Sequence, residues 1–170
     1  GSAQNSLLAA KKKVEQAGLT AVILSDSIEG EAIEIGKMHG AIVNQINAHN
    51  QPFPKPIVLL SGGETTVTLD DFSGRGGRNT EFLLSFLMSL KDHHSTYALA
   101  ADTDGIDGSE TNAGAFGDPN TLSLIRAKGL NAAELLLSHN AYLAFEAAGS
   151  LFFTGSTGTN VNDFRAIFIS

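Results

Sequence analysis

At 170 residues the chain has the length of one domain, enough to bury a core of its own. Hydrophobic residues make up 42% and charged residues 17%, which excludes a disordered chain. Eleven basic against eighteen acidic side chains leave a net charge of −7, which argues against nucleic acid or an anionic membrane as the main partner. The lack of cysteine excludes a disulfide framework and a thiolate zinc site and is compatible with a cytoplasmic location. No apolar run approaches the ~18–20 residues of a membrane span, and no signal-peptide pattern is present, so a soluble protein is expected. The chain opens on Gly1-Ser2 without an initiator Met and enters a helical pattern at once, which predicts a piece of a longer polypeptide.

Leu7, Leu8, Val14 and Ala17 recur at helical spacing over 5–17, with Asn5 or Ser6 as N-cap and Gly18 as the stop. Thr20 to Ser25 is an uninterrupted apolar run of strand length, as in a strand buried on both faces. A long helix is predicted from Glu29 to about His49, burying Ile33, Ile35, Ala41, Ile42 and Ile46. Pro52, Pro54 and Pro56 then form a stiff connector over 51–56. It divides a helix-strand-helix segment, 1–50, from the domain proper, 57–170.

Ile57 to Leu60 reads as a second buried strand, Ser61-Gly62-Gly63 as a turn, and Thr65 to Leu69 as a β-branched alternating run. Asp70, Asp71 and Phe72 lead into Ser73-Gly-Arg-Gly-Gly-Arg-Asn-Thr-Glu81, which holds two of the four arginines. Phe82, Leu83, Phe86, Leu87 and Leu90 follow as the stripe of an amphipathic helix that starts just after Arg78. Tyr97 to Ala101 is a third buried strand, running into an Asp/Gly-rich loop at 102–108. Helices are predicted near 119–128 and 131–147, the latter broken around Ser138–Asn140. They lead to Leu151–Phe153, a polar loop at 154–163 and a terminal strand from Phe164 to Ile169. Strands alternating with helices point to an α/β fold, a three-layer αβα arrangement with a mixed, largely parallel sheet. Ligands in such sheets bind beyond the carboxyl ends of strands, and the loops at 61–64, 102–108 and 154–163 share one edge if their strands are parallel.

The stretch 73–81 reads as an anion site. Gly74, Gly76 and Gly77 clear the way to the backbone, and Arg75 and Arg78 add positive charge beside a helix N-terminus that already favours anions. Neither G-x-G-x-x-G nor G-x-x-x-x-G-K-[ST] occurs, so neither a dinucleotide fingerprint nor a Walker loop is present, and an ordinary NAD enzyme or P-loop kinase is not expected. Asp102, Asp104 and Asp107 lack the fifth-position ligand of an EF-hand, Ile106 taking that place. They read either as Mg²⁺ ligands or as turn and cap residues. Loop 154–163, with Thr154, Ser156, Thr157, Asn160 and Asn162, reads either as an anion nest or as a plain connector. Glu64 reads as a partner for Arg75 or Arg78, or as a solvated turn residue.

Five motifs in order, GGETTVTL (62–69), GRGGRNTE (74–81), AADTDGIDG (100–108), Ala113-Gly114 and TGSTGTNVND (154–163), give the chain a specific resemblance over 57–170. It resembles the MOFRL domain, the C-terminal domain of class II glycerate 2-kinases, some relatives of which carry a hydroxypyruvate reductase label. Glu29-Gly-Glu-Ala and the opening Gly-Ser…Asn resemble the segment just upstream in those enzymes. Thr80 stands where the family commonly has Gln, and Ser156 where it often has Pro, departures that bear on loop stiffness more than on chemistry.

The resemblance implies an ATP- and Mg²⁺-dependent kinase acting on the 2-hydroxyl of D-glycerate, with its site in a cleft between this domain and a larger N-terminal domain, so that this chain alone would be inactive. On that footing Arg75 and Arg78 take catalytic anion-binding roles, on phosphoryl oxygens or on the glycerate carboxylate. Gly74, Gly76, Gly77, Asn79, Glu64, Thr157, Gly158, Thr159 and Asn160 take substrate or phosphate contacts, and Asp102, Asp104 and Asp107 take metal or hydroxyl contacts. The other reading is a non-catalytic substrate-binding module, or an interface that packs on the larger domain or forms a homodimer.

Overall fold

In the computed structural model residues 1–69 and 74–170 are described; Asp70, Asp71, Phe72 and Ser73, the approach to the arginine loop, lie outside the described residues. Six strands form one sheet: β1 (Ala21–Glu31), β2 (Ile57–Thr66), β3 (Thr96–Asp102), β4 (Gly114–Gly117), β5 (Leu151–Phe152) and β6 (Asp163–Ile169). Their spatial order is β1-β2-β6-β3-β4-β5. The helices are α1 (Ala3–Gln16), α2 (Ala32–His49), α3 (Arg78–Ser89), α4 (Thr121–Ala127), α5 (Ala132–Leu137) and α6 (Ala141–Ala148). None of them is long and apolar enough to cross a membrane among the described residues.

The α/β class and the mixed sheet stand as the sequence predicts, but the balance of directions differs. Only β1 and β2 pair in parallel; the pairs β2–β6, β6–β3, β3–β4 and β4–β5 are antiparallel. The cause is topological: the last strand inserts between β2 and β3 and runs against both. β2 and β3 therefore still point the same way, although they are not neighbours. The short strand β4, Gly-Ala-Phe-Gly, carries neither alternation nor a β-branched run and gives no strand signal in the sequence.

Two boundaries move for identifiable reasons. Ser61-Gly62-Gly63 is the continuation of β2, not a turn. Gly63 adopts φ 131°, and a Cβ there would lie 2.2 Å from the Ile28 carbonyl oxygen, so the glycine lets β1 pass close by where its register shifts. The first helix starts earlier than predicted because the Ser2 hydroxyl accepts from the Asn5 N–H at 3.1 Å and caps it. The break near 138–140 is present, separating α5 from α6, with His139 in the left-handed region at φ 56°.

One sheet face packs on α2, α3 and α4–α6, burying Ile57, Leu59, Phe82, Phe86, Phe145 and Ile167. Among the described residues the other face is covered only by α1, whose Leu7 packs with Ala21, Val58 and Leu60. Over β3 and β4 that face carries Tyr97 and Phe116, each nearly half exposed. The layering is thus αβα over one half of the sheet and αβ over the other, among the described residues. Helices α2 and α3 cross closely because α2 presents Gly36 and Gly40 to Ser85 and Ser89; a Cβ on Gly36 would stand 2.6 Å from the Phe82 carbonyl oxygen. The proline-bearing stretch 51–56 joins α2 to β2 within this assembly.

Candidate active site

Because β2 and β3 run one way and β6 runs against them, the ends of β2 and β3 meet the start of β6 at one sheet edge. Asp163, the first residue of β6, lies in register between Gly63 of β2 and Asp102 of β3. Helix α3 begins at the same edge with Arg78. This is where the sequence placed a shared loop edge, and the structure makes it a dense polar cluster under an otherwise apolar sheet.

Arg78 is held on three sides. Its Nε donates to Asp163 Oδ1 at 2.6 Å, Nη2 to Asp102 Oδ2 at 2.7 Å and Nη1 to Glu64 Oε1 at 3.4 Å. Partial burial works against the guanidinium charge, but these three carboxylates outweigh it and raise the pKa above its ordinary value. A guanidinium carries five N–H donors. Three are engaged here, leaving one on each Nη nitrogen without a partner among the described residues. Glu64 is thus a partner of Arg78, through its more exposed carboxylate and its longest contact.

Asp163 is fully buried and accepts on both oxygens. Oδ1 takes Arg78 Nε and, at 3.1 Å, Asn79 Nδ2; Oδ2 takes the Thr65 N–H at 2.9 Å, the Thr65 hydroxyl at 3.2 Å and Arg165 Nη2 at 3.1 Å. Arg165 is itself 1% exposed and lies over the Phe82 ring at 4.9 Å. Its Nη1 donates to the Ser61 hydroxyl at 3.2 Å. That hydroxyl in turn donates to His39 Nε2 at 2.9 Å, because His39 Nδ1–H is committed to the Ile35 carbonyl. Burial, with Arg165 close by, pushes the His39 pKa down to about 4, so the imidazole is neutral.

The N-terminus of α3 already holds an anion, and it is the chain's own. Asp107, 0% exposed, accepts the backbone N–H of Asn79 at 2.8 Å and of Thr80 at 2.9 Å, and Asn79 Nδ2 at 3.2 Å. Burial raises its pKa against the pull of these donors. Gly77 and Gly108 make the approach possible: a Cβ on Gly77 would meet the Asp107 carbonyl oxygen at 2.5 Å, and one on Gly108 the Gly76 oxygen at 2.3 Å. The free helix N-terminus that the sequence offers for a bound anion is therefore filled from within, and Asn79 lies beneath the surface.

Above this cluster lies a cleft of about 500 Å³. Of the predicted site residues, Glu64, Gly74, Gly76, Gly77, Arg78 and Asp102 line it. Arg75 does not: half exposed, it binds Glu110 through Nε and lies 4.4 Å over the Tyr142 ring. The Glu110 bond raises its pKa. Thr157, Gly158, Thr159 and Asn160 also stay outside, exposed, on a loop tied to the end of β3 where the Thr157 hydroxyl donates to the Thr103 carbonyl. Nor do the three aspartates of 102–108 gather. Asp102 faces the cleft, Asp104 accepts the Ile106 N–H at 2.8 Å, and Asp107 caps α3. Among the described residues no three acidic or histidine side chains converge as a metal would require. Their turn-and-cap reading fits Asp104 and Asp107.

Burial lifts the Asp102 carboxyl pKa to about 6. Two further cleft residues have no counterpart in the sequence reading. Glu81, one turn along α3 from Arg78, accepts from His139 Nδ1 at 2.7 Å, and burial raises its pKa. The signal for Asp163 and Arg165 was present: opposite charges two residues apart fall on one face of a strand, and both point into the core. Glu81 and His139 left no comparable pattern.

Comparison with known proteins places the site in context. The model of the MOFRL family matches residues 57–163. A relative from Agrobacterium vitis with the provisional name of hydroxypyruvate reductase is 47% identical over 96% of this chain and 38% of its own length. A glycerate 2-kinase from Pyrococcus horikoshii is 41% identical over 89% of this chain and 34% of its own. The crystal structure of a glycerate kinase from Thermotoga maritima covers all of this chain with 41% of its own, at 34% identity and a TM-score of 0.95. The chain thus spans about two fifths of the length of these relatives.

Proposed function

Because the chain belongs to the MOFRL family, we propose that it is the C-terminal part of a glycerate 2-kinase, working with a larger N-terminal domain of the same polypeptide. The reaction is transfer of the γ-phosphoryl group of ATP to the 2-hydroxyl of D-glycerate. The observation that carries this reading is Arg78 on the floor of the 500 Å³ cleft, with an N–H left on each Nη nitrogen. Free guanidinium N–H groups of this kind pair with the oxygens of a carboxylate or a phosphoryl group.

In the transfer the 2-hydroxyl oxygen bonds to the γ-phosphorus, the bond to ADP breaks, and the hydroxyl proton leaves. Arg78 stabilises the negative oxygens, and the backbone at Gly76 and Gly77 brings no side chain that would obstruct them. Asp102, ionised at neutral pH and facing the cleft, is the carboxylate that receives the proton. Magnesium is implied by such a kinase, but the described residues do not fit a site of their own for it. The cleft carboxylates Asp102 and Glu64 are both turned to Arg78 and Glu81 is turned to His139, and among the described residues no three such groups gather.

The chain by itself holds one side of the reaction, so turnover needs the rest of the polypeptide. The test is a coupled ADP-release assay on the full-length polypeptide with D-glycerate and ATP. Arg78→Ala is expected to lower kcat/KM by on the order of 10² or more, the cost of losing a donor to transition-state charge. Unchanged kinetics in that variant overturns the role given to Arg78. ADP release by the isolated 170 residues overturns the need for a second domain.

A further inference from the structure

Asp163 receives five hydrogen bonds but does not line the cleft. We infer that it is the positioning residue for Arg78: its carboxylate, clamped from the core side, sets the plane and direction in which the guanidinium meets substrate. This rests on the kinase reading for its consequence, though not for its geometry.

The two carboxylate oxygens divide the work. Oδ2 faces inward and is fixed by three donors, the Thr65 N–H, the Thr65 hydroxyl and Arg165 Nη2. With that edge of the carboxylate fixed, Oδ1 has one direction in which to face. It meets Arg78 Nε at 2.6 Å and Asn79 Nδ2 at 3.1 Å. Nε is the one donor that lies on the side chain's own path, so holding it fixes the rotation of the whole guanidinium and leaves the Nη nitrogens facing outward. Arg165 supplies the counter-charge that makes a fully buried carboxylate tenable, and it is anchored in turn by Ser61 and by the Phe82 face. Asp102 and Glu64 then reach Arg78 from the cleft side. The chain is one of support: core to Arg165, Arg165 to Asp163, Asp163 to Arg78.

A side-chain amide cannot replace this carboxylate. Asn at 163 would turn its NH₂ either toward Arg78 and Asn79 or toward Thr65 and Arg165, donors in both cases. In the full-length polypeptide Asp163→Asn is expected to lower kcat by on the order of 10², the effect of a misplaced catalytic group, with a smaller change in KM. The deciding measurement is the cycle with Arg78→Ala. If Asp163 acts through Arg78, the double variant is no slower than Arg78→Ala alone; if its role is only structural, the two losses multiply, which overturns the inference. Should Asp163→Asn fail to fold by circular dichroism, Thr65→Val removes a single donor to Oδ2. It is crossed with Arg78→Ala in the same way, and its milder loss should vanish in the Arg78→Ala background.

The ¹⁵N–¹H resonance of Arg78 Nε gives a readout free of turnover. It should be protected from exchange in the wild type and lose that protection in the 163 or 65 variant; unchanged protection overturns the inference. A wild-type polypeptide that never phosphorylates glycerate but shows this protection fails the kinase reading alone.

Discussion

Replacing Asp107 with alanine probes the contact that joins loop 102–108 to helix α3. The carboxylate caps two backbone N–H groups, of Asn79 and Thr80, and the Asn79 amide, all buried. Loss of an N-cap costs about 1 kcal/mol, and leaving a buried donor unpaired costs about 1–3 kcal/mol. Against this, burial raises the Asp107 pKa, so holding its charge is itself costly, and removing the carboxylate returns part of the loss. The net expectation is a loss of about 3 kcal/mol, a large share of the ~5–15 kcal/mol of a typical domain. With a urea m-value of roughly 2 kcal/mol/M, the midpoint of equilibrium unfolding should fall by about 1.5 M at pH 7. Asp107→Asn keeps one acceptor oxygen and should fall between alanine and wild type. A midpoint for Asp107→Ala within about 0.3 M of wild type would refute the assignment of this carboxylate as the cap, since the m-value converts that to under 1 kcal/mol.

Two further outcomes follow from the geometry. The folded protein holds the Asp102 proton more tightly than the unfolded chain, so between pH 3.8 and about 6 the unfolded state binds fewer protons and this group's contribution to stability falls as pH rises. A ¹³C carboxyl titration should give a midpoint near 6, and Asp102→Asn, which lacks the proton, should gain on wild type in melting temperature across that window; a midpoint near 4 would refute the burial argument. Gly36→Ala sets a helix-propensity gain of about 1 kcal/mol against an overpacking cost of about 1–3 kcal/mol. With the new Cβ 2.6 Å from the Phe82 carbonyl oxygen, overpacking should win, and chemical denaturation should show a less stable protein.

The sequence carries the longer helices and the buried strands well because their apolar runs are clear, and α1, α2, α4 and α6 are followed by a glycine or an asparagine. It carries the sheet's topology less well. Nothing in Phe164–Ile169 says that this strand will insert between β2 and β3, since pairing partners are chosen by long-range packing and not by local pattern. At the site, the loop glycines and Arg78 are legible because their spacing is unusual. The environment of Arg78 is not: of the three aspartates whose spacing admits a metal, Asp102 is a counter-charge to Arg78, Asp104 holds a turn and Asp107 caps α3 once the chain folds. Asp163 stands at the end of a recognisable motif, but its weight comes from donors as distant in sequence as Thr65 and Asn79.

The parallel pairing of β1 with β2 separates two meanings of a unit. The stretch matched by the family model begins at residue 57, where β2 begins. A protein cut there would lose the partner of β2 along Ala21–Glu31, opening a row of unpaired peptide groups at a new sheet margin. It would also strip α2 from α3, baring the apolar surface around Phe82 and Phe86, and remove the imidazole that accepts from Ser61 beneath Arg165. The family signature and the packed body, which begins with α1, thus start some fifty residues apart, and a protein that keeps the arginine cleft supported carries both.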